Sequence, residues 1–430
     1  MNTATRETIQ RHGYSRVLVE LDQDGTITEA QSLELSGLFK EPNFQNEKVE
    51  LGHEGTLSVA IGASQKRLTT DQPNPEGSPN FEPRLRLYPN LGLALGIVDE
   101  AGLEALEKSR VTVRIFEINP TSLVEPFDQL PGRRTTMLSP ALHQLKIPTL
   151  WDLGLTGLGV LVGHMDSGID ATHPSLVGAV KSFVAYDLNG DLIASGEPYE
   201  SDSTVSHGTH TAGIIVGRES ELGNFGVAPG ATLASAMVIS GGDVVARMLA
   251  GFEWITTTNA KIVNGSIGLA GVNQSFEVIV KALRKRDILP IFAIGNEGAG
   301  ISRYPGNYQG VLSVGACDAN GRVAPLSGSQ VFQGTENRIV PSIIAPGIKI
   351  LSSSQGGKLK KLSGTSQAAP HVTGLCALLK EAMPTASAND LESAIKLSCS
   401  LNPAESIYRG NRGVPDALKA HSILTAGYMS

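Results

Sequence analysis

From residue 140 onward, apolar runs of four to eight residues alternate with stretches of helical period, and this alternation narrows the available folds more than anything else in the chain. Val160–Met165, Thr232–Ile239, Lys261–Val263, Ile288–Ala293 and Val311–Val314 are too continuously apolar for strands with one wet face, so they read as strands covered on both sides. Residues 244–257, 275–286 and 366–381 read as helices. Strand and helix in alternation predict an α/β fold, a mostly parallel sheet between helices. No internal repeat is visible.

The portion before residue 140 has a different character. It carries 14 basic and 20 acidic residues, leaving 21 and 22 for the remainder. Ser15–Leu21 and Val111–Ile118 alternate like strands, and Leu51–Ile61 is a third candidate weakened by Gly52 and Gly55. Asp99–Ser109 reads as a helix with acidic residues at its start and Leu103 and Leu106 on one face. Residues 64–83 hold four prolines and read as a loop. A small α+β domain over 1–118 is the expectation. Residues 119–136 hold three prolines without periodicity, so 119–140 reads as a linker before a domain at 141–430.

Composition excludes several classes. With 41% hydrophobic and 18% charged residues, global disorder does not fit. A net charge of −7 argues against nucleic acid as a partner, and no apolar run approaches a membrane span. Cys317, Cys376 and Cys399 are too few and too scattered for a disulfide framework or a metal site. Met1–Gly13 is polar, which predicts no secretory signal and a cytoplasmic location, with export by another route left open.

Three segments crowd small residues around one reactive group. Leu161-Val-Gly-His-Met-Asp166-Ser-Gly168 runs a buried strand into a carboxylate, where open α/β sheets place ligands. Taken alone, Asp166 could equally be a turn residue. His207-Gly-Thr-His210-Thr-Ala-Gly213 sets a histidine at a helix start, with Gly208, Ala212 and Gly213 allowing close packing. Gly364-Thr-Ser366-Gln-Ala-Ala-Pro370-His-Val-Thr-Gly374 starts a helix at a serine, with Pro370 in the early turns that tolerate it. Ser366 could be a cap; as a nucleophile it would gain from the N–H groups and dipole at that helix end.

In the order Asp166, His207, Ser366, these segments resemble the three signatures of the subtilisin-like serine proteases, from about residue 145 to 427. The resemblance implies the subtilisin-like three-layer fold and an Asp166–His207–Ser366 triad that forms an acyl-enzyme. It implies Asn296, in Ala293-Ile-Gly295-Asn-Glu-Gly298, as the side-chain donor of an oxyanion hole shared with the Ser366 N–H. It also implies Ser266, Ile267 and Gly268 as the wall along which an extended peptide pairs, with Gly295, Glu297 and Arg303 around the main specificity pocket. Arg303 stands where the family usually has a small residue, so a preference for Glu or Asp before the cleaved bond follows, unless Glu297 pairs with Arg303 and neutralises it.

No cofactor is required for this chemistry. A structural calcium is left open but disfavoured, since Ser220 stands where a side-chain amide ligand is usual in the family and Ser175 where an aspartate is usual. Asp187–Asp191 reads as a hairpin turn at Asn189-Gly190. The N-terminal portion more loosely resembles the inhibitory prodomain of the family, which would occupy the cleft of its own enzyme. Processing would then fall within 119–136, at Asp128–Gln129 or Arg134–Thr135. The rival reading is a silent peptide-binding module with the same fold.

Overall fold

The computed structural model describes residues 3–21, 85–110, 112–118, 126, 129–133, 138–187, 190–239, 244–270, 276–333 and 337–426. The strand expected at Leu51–Ile61 and the loop at 64–83 lie outside these residues.

An eight-stranded sheet organises the larger part of the chain. Its order is Ile343–Pro346, Leu312–Cys317, Leu289–Ala293, Ile262–Gly265, Leu161–Asp166, Thr232–Met237, Val180–Tyr186 and Leu192–Ser195. All neighbours are parallel except the last pair, Val180–Tyr186 with Leu192–Ser195. That pair is the hairpin expected around Asp187–Asp191; its Asn189 lies outside the described residues. Side chains along each strand alternate between two cores, as the pleat requires. Ile262, Leu289 and Ile291 face one helix layer, Val263 and Phe292 the other. Each such fully buried side chain contributes about 1.5–3 kcal/mol. The first layer contains His207–Val216, Thr365–Ala382, Ala388–Ser398 and Ala417–Ala426; the second contains Val244–Thr256 and Glu277–Lys285.

The chain leaves Leu161–Asp166 toward one edge of the sheet, returns beside it, and continues toward the other. This reversal opens a crevice at the carboxyl end of that strand, and Asp166 is its last residue.

The N-terminal unit is a four-stranded antiparallel sheet ordered Arg86–Tyr88, Leu93–Val98, Ser15–Leu21, Thr112–Glu117. Val17 and Val19 face a core shared with Ile9, Leu103 and Leu106, the last two from the helix Glu100–Lys108. Asp99 caps that helix by accepting the Gly102 N–H at 2.9 Å. The opposite face, with Leu18, Leu93 and Leu95, joins the core around Val244–Thr256.

The region read as a linker contains a structured piece. Gln129–Pro131 adds a strand to the hairpin formed by Ile350–Ser354 and Lys358–Leu362, pairing Gln129 with Leu362 and Pro131 with Lys360. Three residues are too few to show a period. Backbone hydrogen bonds to an exposed edge hold them there.

Candidate active site

Asp166 is wholly buried. Its Oδ1 lies 2.6 Å from His207 Nδ1 and also accepts the Ser167 N–H at 2.8 Å. Burial works against the Asp166 charge, but His207 in contact, His164 nearby and the Ser167 N–H outweigh it, holding the carboxyl below its usual range. Burial likewise disfavours the His207 imidazolium. There the Asp166 carboxylate, assisted by Glu200 and Asp202, wins, and the His207 pKa sits above its ordinary value.

The helix His207–Val216 begins at the imidazole, and Ser206 before it adopts a left-handed backbone without a side-chain cap. Three outside side chains take the exposed N–H groups instead. Asp202 accepts from His207 at 3.3 Å, Ser167 Oγ from Gly208 at 2.9 Å, and Glu200 from Thr209 at 2.8 Å. Glu200, 7% exposed, also accepts the hydroxyls of Thr209 and Ser167. Gly208 has no alternative, since a Cβ there would lie 2.1 Å from the Gly168 carbonyl oxygen. The segment that follows Asp166 and the one that precedes the helix therefore grip this helix end by backbone and by side-chain caps.

Ser366 is the second residue of Thr365–Ala382, and Pro370 falls in the early turns of that helix. The Ser366 hydroxyl donates to the Ser266 carbonyl at 3.2 Å, while the Ser266 hydroxyl donates to the Ser366 carbonyl at 2.9 Å. Asn264 donates to Ser266 Oγ and accepts from Thr373, which ties this pair into the helix interior. His207 Nε2 is buried and has no hydrogen-bond partner among the described residues. The Asp–His bond is thus closed, and the serine hydroxyl is turned to a carbonyl that a substrate N–H could claim.

Asn296 Oδ1 accepts both the N–H and the hydroxyl of Thr365, at 2.9 and 3.0 Å. The same hydroxyl accepts the Gly295 N–H at 3.2 Å. With Oδ1 so occupied, the amide is fixed with Nδ2 as its donor edge, beside the start of the Ser366 helix. Thr365, Asn264 and Glu200 were not singled out from sequence, because each acts through a partner far along the chain.

Around the expected pocket, Arg303 binds Glu297 through Nε and Nη2, at 2.7 and 2.5 Å, and donates from Nη1 to the Gly268 carbonyl at 3.1 Å. Its stem crosses Gly295, where a Cβ would come within 2.9 Å of Arg303 Cγ. Of the two alternatives open in the sequence, the ion pair with Glu297 is the one formed. Ser266 and Ile267 are buried, and the Ile267 side chain lies in the core, so only their backbone can meet a ligand.

The two positions compared with a calcium site do not fit that ion. Ser175 and Ser220 hydrogen-bond to each other through their hydroxyls at 2.9 Å, and neither is a carboxylate. Among the described residues no helix is long and apolar enough to cross a membrane.

A family model described as the subtilase family matches residues 157–416. The chain is 34% identical over 301 residues to M-protease of Shouchella clausii, covering 68% of this chain and 72% of that protein. It is 34% identical over 260 residues to Subtilisin Savinase of Lederbergia lenta, covering 59% and 88%. With Subtilisin E of Bacillus subtilis it shares 29% over 345 residues, covering 79% and 81%. The expected cytoplasmic location does not stand beside these matches, two of which are to proteins named as subtilisins. That expectation rested only on a polar stretch at the start of the sequence, and such a stretch carries no address.

Proposed function

The chain belongs to the subtilase family and is a serine endopeptidase, and from that premise we propose that Asp166, His207 and Ser366 hydrolyse extended peptides through an acyl-enzyme. The observation that carries the assignment is the 2.6 Å bond between Asp166 and the imidazole whose other nitrogen is unpartnered. A peptide pairing along 266–268 places an N–H on the Ser266 carbonyl. Ser366 Oγ then leaves that acceptor by a χ1 rotation and gives its proton to His207 Nε2 as it attacks the scissile carbonyl. Asp166 holds the imidazolium, Asn296 Nδ2 and the Ser366 N–H receive the oxyanion, and His207 protonates the leaving amine. Water then hydrolyses the ester by the same route. A fluorophosphonate should label wild-type enzyme at Ser366, and an unlabelled wild type would favour the silent binding module.

Base catalysis needs neutral His207, and the Asp166 carboxylate, against the effect of burial, holds its pKa above the ordinary histidine value. Activity should therefore fall as pH drops through a value higher than an ordinary histidine titrates. A kcat/KM profile with its acid limb below 6.5 would contradict this.

Arg303 gives the pocket a cation and Glu297 balances it. A substrate Glu or Asp must compete with Glu297, so the acidic preference in wild type is expected to be weak. Glu297→Gln should raise cleavage after Glu or Asp, relative to large apolar residues, by about tenfold, the scale of one charged hydrogen bond. A peptide-library profile unchanged in E297Q would remove Arg303 from the pocket.

We read residues 1–118 as an inhibitory and folding-assisting prodomain, and the enzyme as free of any cofactor requirement. The Glu253 carboxylate, on the helix Val244–Thr256, accepts the N–H groups of Asn90 and Leu91 and the Asn90 side chain, and Arg86 pairs with Asp191. The match to Subtilisin E covers 79% of 430 residues, about 340, whereas 141–430 offers 290, so it reaches into the N-terminal part. Of the two proposed processing bonds, Arg134–Thr135 lies outside the described residues, and Asp128–Gln129 ends on the first residue of the strand Gln129–Pro131. Sequencing the N-terminus of mature enzyme decides between them; a start outside 119–136 would refute the reading.

A further inference from the structure

We propose that His164 and Thr211 are positioning residues for this hydrolysis: His164 Nε2–H donates to the Thr211 hydroxyl, which donates to the Asp166 oxygen that His207 does not use. The proposal rests on the catalytic reading above.

His164 lies two residues before Asp166 on one strand, so both side chains leave the same face of the sheet. It is wholly buried. Its Nδ1 is 2.9 Å from Ser235 Oγ on the paired strand, and its Nε2 is 2.9 Å from Thr211 Oγ1 and 3.8 Å from Asp166 Oδ2. Thr211 is four residues after His207, on the same face of the same helix. That helix thus offers Asp166 an imidazole at Oδ1 and a hydroxyl at Oδ2, the latter at 2.9 Å.

Proton counting gives the set a direction. The Asp166 carboxylate can only accept. The Thr211 hydroxyl has one proton and three groups that can accept it, Asp166 Oδ2 at 2.9 Å, the Gly208 carbonyl at 3.1 Å and, in the tautomer that leaves it bare, His164 Nε2 at 2.9 Å; only the first gives the buried carboxylate oxygen a donor. If it serves Asp166, its oxygen must accept from His164, so Nε2 carries the ring proton and Nδ1 accepts from Ser235. All four groups are satisfied by this one tautomer of a neutral ring. Burial keeps the ring neutral by pushing its pKa down, against the pull of Asp166. A charged His164 would compete for the carboxylate that must stabilise the His207 imidazolium. Packing alone gives no reason for this polar set, because a core position on a parallel strand is filled at less cost by an aliphatic side chain.

Thr211→Val keeps the shape and removes the donor. We expect kcat on a peptide substrate to fall about tenfold, as for loss of one hydrogen bond to a charge, with KM within about twofold. The acid limb of kcat/KM should move to higher pH, since a carboxylate short of a donor holds the imidazolium more tightly. Thr211→Ser should restore both. His164→Leu should change kcat and the pH limb in the same directions, and should add little when combined with Thr211→Val. Active-site titration with a fluorophosphonate and the melting temperature are read on each variant. If T211V and H164L keep wild-type kcat and pH limb, or lose activity only through KM or a lower titre of folded enzyme, the positioning role is overturned while the serine-peptidase reading stands. An unlabelled wild type removes both.

Discussion

Ser366→Ala is expected to lower kcat by about 10⁶-fold, a magnitude that comes from subtilisin itself. Without Oγ no ester forms, and the remaining groups can only orient water and stabilise charge. The substitution is structurally mild. The hydroxyl is buried and donates to the Ser266 carbonyl, while the reciprocal Ser266 hydroxyl bond to the Ser366 backbone does not depend on it. Folded protein with an unchanged melting temperature is therefore expected, which separates chemistry from folding. The same variant reports on maturation. If the chain cuts its own 119–136 segment, S366A stays at full length when purified, and added wild-type enzyme trims it. Fluorophosphonate labelling should vanish with the hydroxyl. Peptide hydrolysis within tenfold of wild type would end the triad assignment, and spontaneous shortening of S366A would end self-processing.

How much of this was legible in the sequence depends on what held each group in place. Asp166, His207 and Ser366 sit in runs of small residues, and the crowding that demands those residues is physical, as at Gly208 against Gly168. The helix Glu100–Lys108 was legible because its cap and apolar face are local. Ile343–Pro346 and Leu93–Val98 were not identified as strands, and the hairpin at Asn189-Gly190 was read without bounds for its first strand, Val180–Tyr186. Runs buried largely on both faces lose the period of two and can be told from short helical pieces only by their neighbours. Gln129–Pro131 is a strand only because a hairpin more than 200 residues later offers an edge. The choice between a charged and a balanced Arg303 depended on the reach of Glu297 across Gly295, which spacing does not fix. Glu200, His164 and Thr211 are ordinary as letters. Their meaning comes from hydrogen bonds spanning 9 to 47 residues.

Asn296→Ala should cost about 10²–10³-fold in kcat with little change in KM, corresponding to about 2.7–4 kcal/mol of transition-state stabilisation. The split between the two constants follows from where the amide acts. Thr365 occupies Oδ1 in the resting enzyme, so the site is already organised before substrate arrives. A ground-state carbonyl gains little from Nδ2, whereas the oxyanion gains a charge-assisted bond in a site where Asn296 is only 9% exposed. Asn296→Asp gives a sharper test. A neutral aspartic acid could still donate, but a carboxylate would repel the oxyanion, so N296D should fall below N296A at neutral and alkaline pH. Thr365→Val should lose part of the same activity while leaving Asn296 intact, because it removes one anchor of Oδ1 and the bridge to the Gly295 N–H. Matched burst and steady-state kinetics would show the loss in acylation. An effect of N296A confined to KM would mean that the amide binds the peptide rather than the transition state, and the oxyanion would need another donor.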